Sequence, residues 1–323
     1  EEIDEWTRVL TADGYIGYIK DKRISAVTKT EIAAPEFEEP VYSNISKDYK
    51  INLVWHQVTS EAANEGIEDA LAATKGLNTI SPTWFSVTDN SGNISSIAST
   101  DYVDYAHQCG LEVWALVDNF DQNVDDMELL SHTSSRENLE NQLVNAALQN
   151  GIDGINVDFE QIPTDVGEHY IQFIRELSVL CRVNNLVLSV DNYVPKGYNT
   201  HYHREEQGVM ADYVIIMGYD EHYVGSDAGS VASLSYERDG ITGTLENVPK
   251  EKIISGIPFY TRLWKTNASG EVSSEAIGMD KADQILSDYK VTAGWSSETS
   301  QDYAEFTDED GNFCQIWLDS PSS

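Results

Sequence analysis

Basic residues are scarce in this chain. It has 20 lysines and arginines against 55 aspartates and glutamates, so its formal net charge is −35 at pH 7. Such a charge repels the phosphates of nucleic acids and of anionic membrane surfaces, which argues against both as partners. It favours a neutral or cationic substrate and high solubility.

Cysteines and long apolar runs are also few. The three cysteines, Cys109, Cys181 and Cys314, are odd in number and far apart, so they indicate neither a disulfide framework nor a zinc site. No apolar run reaches the roughly 18 residues that a membrane span needs. Hydrophobic residues still make up 41% of the 323 residues, enough for the core of one large domain with a small one, or of two medium domains.

From about residue 50 onward, short apolar runs alternate with longer stretches of helical periodicity. This alternation predicts a parallel sheet, and seven strands in one stretch of roughly 270 residues favour an α/β fold of the (β/α)8 TIM barrel type. No glycine-rich phosphate turn follows the first run, which argues against a dinucleotide-binding fold. The predicted strands are 51–58, 79–87, 112–120, 154–160, 186–194, 213–220 and 252–260.

Two parts of the chain depart from this alternation, one before the predicted barrel domain (46–323) and one near the end of that domain. Residues 1–32 predict a short β module around the turn ADG, and residues 33–45, with two prolines and several acids, predict a linker. After residue 264 the alternation stops, and 264–318 predict a small α+β insertion that ends in a hairpin about DEDGN. No run follows that could be an eighth strand, so we expect the barrel to be cut short.

The stretch GIDGINVDFEQIP, residues 151–163, carries costly polar groups in an apolar strand pattern. On strand alternation, Asn156, Asp158 and Glu160 share one face, whereas Asp153 lies on the other and is predicted to be structural. The Cα atoms of Asp158 and Glu160 would lie about 6.6 Å apart. Like charges at this spacing favour protonation of one carboxyl, which is what a general acid needs.

Two other interpretations of this acidic row are open on the residues alone. One is a capped or salt-bridged cluster at the end of a strand. The other is a calcium or magnesium site, since carboxylate and amide oxygens suit both ions, but no EF-hand spacing is present. The nearby pair His201 and His203 is typical of a solvated loop.

A family resemblance rests on two motifs. DGINVDFE resembles the D-G-x-D-x-D-x-E signature of glycoside hydrolase family 18, the chitinase-like family, with Asn156 in place of the middle aspartate. MGYD, residues 217–220, resembles the M-x-Y-D motif of the same family. The runs GYDEHYVGSDAGSVASL and GIPFYTRLW are similar to the bacterial branch associated with spore-cortex and cell-wall lysis, in which that middle position is commonly Asn. DGYIGYIKDKRIS is similar to bacterial SH3-like modules.

The resemblance implies catalytic roles for particular residues. Glu160 would protonate the glycosidic oxygen and then activate water, while Asp158 would orient the acetamido group of the substrate, which attacks the anomeric carbon in place of an enzyme carboxylate. Asn156 would support Asp158. Tyr219 would hydrogen-bond the acetamido oxygen, and Asp220 would bind the adjacent sugar. No cofactor and no metal are implied.

Further residues are predicted to bind sugar because they follow strands or belong to the motifs. Aromatic side chains at strand ends suit the apolar faces of pyranose rings, although for Trp55 and Trp114 ordinary packing is at least as good an explanation. Arg262 could pair with Asp220, contact sugar, or form a surface salt bridge. The predicted substrate-binding set is Trp84, Asn119, Tyr193, Met217, Asp220, Tyr260 and Arg262.

The resemblance therefore implies retaining, substrate-assisted hydrolysis of β-1,4-linked N-acetylglucosamine in peptidoglycan or spore cortex. The partners would be such polysaccharides and the bacterial cell wall, at a secreted, wall-bound or spore-bound location. The alternatives are a chitinase or chito-oligosaccharide hydrolase, and an inactive lectin-like barrel that binds N-acetylglucosamine. Lectin-like relatives typically replace the acid, which is intact here as Glu160.

Overall fold

The computed structural model describes residues 2–3, 5–25, 28 and 44–320. The chain forms two compact units. The first consists of residues 1–190 and 201–212, and the second of residues 191–200 and 213–323. No helix in the described ranges is long and apolar enough to cross a membrane.

The first unit begins with a small antiparallel sheet of three strands, β1 (Glu2–Ile3), β2 (Trp6–Leu10) and β3 (Ile16–Lys20). This confirms the β character of the N-terminal segment, but its likeness to SH3 modules stays a prediction. The turn between β2 and β3 places Gly14 at φ 89°, in the left-handed region that favours glycine. Most of the predicted linker, residues 33–43, lies outside the described residues.

A parallel sheet is the centre of the first unit. Its strands pair in the order β9-β8-β7-β5-β4, and β6 adds to β5 in the antiparallel direction. Each of these parallel strands falls within one of the predicted runs, which confirms those predictions. The bounds are β4 (Leu53–His56), β5 (Thr79–Val87), β6 (Ile94–Ser96), β7 (Glu112–Asp118), β8 (Gly154–Asp158) and β9 (Val187–Tyr193), the last belonging to this unit through Val190.

Helices connect the parallel strands, as the periodicity predicted. Ser99 caps α2 by accepting a hydrogen bond from the Tyr102 amide, and Gly151 ends α4 in the left-handed conformation. The buried residues of α4 include Leu139, Leu143 and Ala147, at the spacing of one helix face. The helices are α1 (Ile67–Ala72), α2 (Thr100–Gln108), α3 (Asp126–Ser131), α4 (Thr133–Asn150), α5 (Gly167–Val183) and α6 (Arg204–Met210).

Strand β8 is buried on both of its faces. Ile155, Val157 and Phe159 pack into the core, where the Phe159 ring stacks on Phe173 at 5.4 Å. Asp153, just before the strand, accepts hydrogen bonds from the Val113 amide and bonds His107. This confirms its structural role. The opposite face carries the polar row.

The second unit combines a pair of parallel strands, β10 (Tyr213–Met217) and β11 (Ile253–Gly256), with α7 (Leu234–Leu245) between them in sequence. It continues as an antiparallel sheet in the order β13-β12-β16-β15-β14, against which α8 (Met279–Tyr289) packs through Ala282 and Leu286. The bounds are β12 (Tyr260–Thr266), β13 (Val272–Gly278), β14 (Gly294–Ser296), β15 (Gln301–Thr307) and β16 (Phe313–Leu318).

The predicted α+β insertion and its terminal hairpin are confirmed, with one change of boundary. β11 ends at Gly256, and Tyr260 already belongs to β12 of the antiparallel sheet, so the insertion begins earlier than residue 264. In the hairpin of β15 and β16, the Asp308 side chain accepts hydrogen bonds from the Asn312 amide and side chain. In the part of the chain that the structure describes, no strand corresponds to an eighth repeat.

Candidate active site

Asn156 is completely buried in the middle of β8, on the polar face. Its Oδ1 accepts hydrogen bonds from Trp55 Nε1 on β4 at 2.9 Å and from Ser81 Oγ on β5 at 3.1 Å. Two donors to one oxygen fix the orientation of the amide, and they satisfy a group that would be costly to bury alone. Asn156 is therefore a rigid base for the residues that follow it on β8.

Asp158 is the last residue of β8 and lies directly opposite Asp118 of β7 in the parallel register. Burial raises the pKa of Asp158, and the charges of Glu160 and Asp118 raise it further. The Glu160 charge therefore disfavours ionisation of Asp158, which is the effect that the sequence predicted for like charges at this spacing. Within the described residues, Asp158 Oδ1 has no hydrogen-bond partner.

Asp118 adds a third carboxyl to the end of the sheet. It accepts hydrogen bonds from Ser86 Oγ at 2.9 Å and from the Phe120 amide at 3.1 Å, and burial raises its pKa. Asp118 lies within the predicted strand 112–120, but it was not among the predicted site residues. The predicted barrel makes β7 and β8 parallel neighbours, but the register that places Asp118 beside Asp158 was not specified by the sequence.

Glu160 lies just beyond β8 and is held through its backbone by Asn119. Asn119 Oδ1 accepts from the Glu160 amide at 2.9 Å, and Asn119 Nδ2 donates to the Glu160 carbonyl at 3.1 Å and to Asp126 Oδ1 at 3.0 Å. The next residue, Gln161, has φ 54°, so the chain turns sharply here. Both polar atoms of the Asn119 amide therefore bond the protein, and its predicted contact with sugar stays a prediction.

Replacing Asn119 should disturb catalysis more than stability. We expect Asn119→Ala to lower kcat roughly tenfold, because the Glu160 backbone loses both of its side-chain hydrogen bonds and a small displacement of a reacting group is costly. Asn123→Ala is the matched control, since Asn123 is exposed in the same loop and its side chain donates to Asp121. Steady-state kinetics check this, and equal kcat values for the two variants would contradict it.

Trp84 is not available to stack on a sugar, so this prediction is wrong. Its side chain is only 2% exposed, donates from Nε1 to Asn64 Oδ1 at 2.8 Å, and meets the Tyr102 ring edge-on at 4.9 Å. The register of β5 with β7 shifts between Thr83 and Phe85, so the contacts of Trp84, and not strand alternation, show which face it occupies. Ser81 faces the polar row, whereas Trp84 contacts Tyr102 and faces α2.

Two other aromatic residues lie beside the polar row. Trp55, for which packing was an equal explanation, bonds Asn156 directly. Phe120, which the sequence analysis missed, is 55% exposed and immediately follows Asn119. Its position just after the end of a strand was the signal in the sequence that could have identified Phe120 as a candidate. Trp114 is fully buried and bonds Glu112, which confirms packing for that residue.

The second unit contains the M-x-Y-D residues. Met217 is buried at the end of β10, and Asp220 adopts φ 55°. The Tyr260 hydroxyl donates to Asp220 Oδ1 at 2.7 Å, and the Tyr219 and Tyr260 rings meet edge-on at 6.3 Å. Tyr219, Asp220 and Tyr260 therefore lie together within this unit.

Arg262 does not form the predicted pair with Asp220 among the described residues. Its Nη1 donates to Ser274 Oγ at 3.1 Å, on the neighbouring strand β13. Tyr193 is half-buried at the end of β9. The contacts of these two residues with sugar stay predictions.

The described residues contain no group of three His, Cys, Asp or Glu side chains arranged to hold a metal ion. His201 Nε2 bonds the Ile162 carbonyl at 2.8 Å, and His203 pairs with Glu168 at 3.5 Å. Both histidines of this pair therefore have protein partners.

Parallel β/α repeats that bring Asp118, Asp158 and a firmly held Glu160 to the carboxyl end of adjacent strands define a hydrolase site of the kind that cleaves glycosidic bonds. The chain belongs to the glycosyl hydrolases family 18, whose sequence model matches residues 114–322, well over half of its length.

Similar proteins agree with this family. The cortical fragment-lytic enzyme of Bacillus subtilis (strain 168) is 25% identical over 204 residues, which cover 60% of this chain and 47% of that protein. The chain spans about half the length of such curated relatives.

Two solved structures share the fold. A chitinase from Chromobacterium violaceum has a TM-score of 0.73 at 21% identity, covering 84% of this chain and 86% of that one. The spore cortex-lytic enzyme SleL of Bacillus megaterium has a TM-score of 0.72 at 20% identity, covering 85% of this chain and 67% of that one. They confirm the predicted barrel class of the fold.

Proposed function

We propose that this chain hydrolyses β-1,4-linked N-acetylglucosamine bonds in peptidoglycan or spore cortex. The observation that carries the proposal is that Glu160, whose backbone amide and carbonyl are bound by Asn119, lies two residues after Asp158 at the end of β8. Relatives named for cortex lysis support the choice of substrate. A formal charge of −35 also suits a polymer without phosphate.

In this proposal Glu160 is the general acid and then the general base. Its proton passes to the glycosidic oxygen as the bond from that oxygen to the anomeric carbon breaks. The acetamido oxygen of the same sugar forms the new bond to the anomeric carbon, so no enzyme carboxylate becomes covalently attached. Water then attacks that carbon, the bond from the carbon to the acetamido oxygen breaks, and a proton of the water passes to Glu160. Two displacements at one carbon retain its configuration.

Asp158 orients the acetamido group for that attack. Its Oδ1 is buried and has no hydrogen-bond partner within the described residues, so the carboxyl can turn towards a substrate without losing a protein hydrogen bond at that atom. Asn156, held by Trp55 and Ser81, supports Asp158 from deeper in β8. Preorganised groups of this kind lower the barrier because they need no rearrangement during the reaction.

Sugar contacts are proposed on two grounds. Phe120 is an exposed ring beside Asn119, and the apolar face of a pyranose suits such a ring. The roles of Tyr219, at the acetamido oxygen, and of Asp220, at the adjacent sugar, rest on the M-x-Y-D motif.

We also place the protein at the bacterial wall or spore, where such polymers occur.

Digests of peptidoglycan, spore cortex and chitin, compared side by side by mass spectrometry, test the proposal. We expect new reducing ends at N-acetylglucosamine in the wall polymers, with retained anomeric configuration by NMR of the first products. Fully N-deacetylated chitin should not be cut, because it has no acetamido oxygen to attack. Cleavage of the deacetylated polymer would contradict substrate assistance.

Two outcomes would replace the proposed substrate or activity. Cleavage of chitin alone would indicate a chitinase, which the shared fold of the Chromobacterium enzyme also allows. Binding of N-acetylglucosamine oligomers with no cleavage of any polymer would indicate a lectin-like protein.

A further inference from the structure

Glu237 on α7 contacts the backbone of the M-x-Y-D motif in the second unit. A side chain at Gly218, between Met217 and Tyr219, would overlap the Glu237 carboxyl, so the glycine leaves room for this contact. Glu237 Oε2 accepts a hydrogen bond from Ser255 Oγ at 2.9 Å. Its Oε1 is inaccessible to solvent and has no hydrogen-bond partner among the described residues.

We propose that Glu237 is a positioning residue for Tyr219 and Asp220, holding the segment that carries them against β11. The inference rests on the proposed function, in which those two side chains contact the substrate. Glu237 itself lies beneath the backbone of the segment and acts through it.

The hydrogen bonds around Gly218 show how the contact is transmitted. The Gly218 amide donates to the carbonyls of Ile216 and Gly256, both at 3.0 Å. Gly256 follows Ser255 on β11, so the Glu237 carboxyl touches both strands where they end. A displacement of Gly218 would move Tyr219, the next residue in the chain, and would strain Asp220, which is in the left-handed region.

The charge state of Glu237 gives this contact a pH dependence. Burial, and to a smaller extent the charge of Asp319, raises the pKa of Glu237 to about 7, although the hydrogen bond from Ser255 opposes this shift. Tyr236 is beside it on α7, and Lys196 lies over the Tyr236 ring, 5.4 Å from its centroid. Below pH 7 the carboxyl is neutral and packs against Gly218. Above pH 7 it becomes a charged group in a site where charge is costly.

The test compares Glu237→Ala and the shape-conserving Glu237→Gln with Glu251→Gln, a control at an exposed acid of the same unit. We expect Glu237→Ala to lower kcat on N-acetylglucosamine polymers roughly tenfold or more and Glu237→Gln to stay near the wild-type value at pH 6. Hydrogen exchange of the peptide 213–222, corrected for intrinsic rates, should be faster in Glu237→Ala. In the wild type it should accelerate from pH 6 to pH 8, and in Glu237→Gln it should not.

The hydrogen-exchange measurement tests the role of Glu237, and the activity measurement tests the proposed function. Wild-type exchange in this peptide that does not change between pH 6 and pH 8, or that changes equally in Glu237→Gln, would overturn the role of Glu237. If wild-type protein cleaves no polymer, the proposed function fails, while the exchange result still decides whether Glu237 holds the segment. If Glu237→Ala does not fold, the comparison of wild type with Glu237→Gln remains decisive.

Discussion

Glu160→Gln should abolish measurable polymer hydrolysis, lowering kcat by roughly 10²- to 10⁴-fold, which is the range that general acid–base catalysis supplies. The amide has the shape of the carboxyl but has no acidic proton to give to the leaving oxygen. Thermal stability should change little, because Asn119 binds the backbone amide and carbonyl of residue 160 and these remain. Release of reducing ends and the Tm, measured on the same preparation, check both parts.

Glu137→Gln is the control, since Glu137 is an exposed acid on α4 of the same unit. It should retain wild-type kcat. Glu160→Gln has a second expected effect: the pKa of Asp158 should fall, because the Glu160 charge is one of the causes that raise it. Activity of Glu160→Gln close to that of Glu137→Gln would show that residue 160 is not the acid and would remove the basis of the proposed function.

The catalytic row was predictable because strand alternation is a local rule. Residues two apart on a strand share a face, so Asn156 and Asp158 could be placed together before any fold was known. The same rule separated Asp153, which indeed bonds Val113 and His107. Trp84 failed because it was selected for its place near a strand end, without asking which face of β5 it occupies. The register of β5 shifts at this point, so strand alternation alone could not have given that face.

Partners from distant parts of the chain were not predictable. Asn119 could be seen to follow a strand, but its hydrogen bonds to Glu160 depend on how β7 and β8 pair. Likewise, sequence left Arg262 as a partner for Asp220, whereas Tyr260 takes that place. The N-terminal turn gives a third case: Asp13 accepts hydrogen bonds from the Ser134 amide and hydroxyl in the first turn of α4. Such contacts depend on tertiary packing, which periodicity does not encode.

Glu140 should make the stability of the first unit depend strongly on pH. It is only 3% exposed on α4, and burial, followed by the adjacent Glu176, raises its pKa to about 9. The charge of Arg136 lowers the pKa of Glu140 only in part, because Arg136 is paired with Glu176, to which its Nε donates at 2.7 Å. Glu140 is therefore protonated in the folded chain at pH 8 and ionised in the unfolded chain.

The sign of the effect follows from linkage. Below pH 4.5 both states hold the proton, and the contribution of Glu140 to stability is fully present; it is lost as pH rises towards the folded-state pKa of about 9. Glu140→Gln keeps a neutral side chain that can donate to Glu176 and removes this loss. We expect the variant to be more stable than wild type by roughly 3 kcal/mol at pH 8, raising Tm by roughly 5 to 10 °C.

The difference in Tm between the two proteins should shrink as pH falls towards 5, because the unfolded chain then binds the same proton. Melting curves at several pH values between 5 and 9 measure it, with Glu65→Gln, at an exposed acid of the same unit that is not among the causes of the Glu140 shift, as the control that shows no such trend. A Glu140→Gln variant that is less stable than wild type at pH 8, or whose Tm difference is the same at every pH, would show that Glu140 is ionised in the folded chain. In that case the pairing of Arg136 would have to extend to Glu140 as well as Glu176.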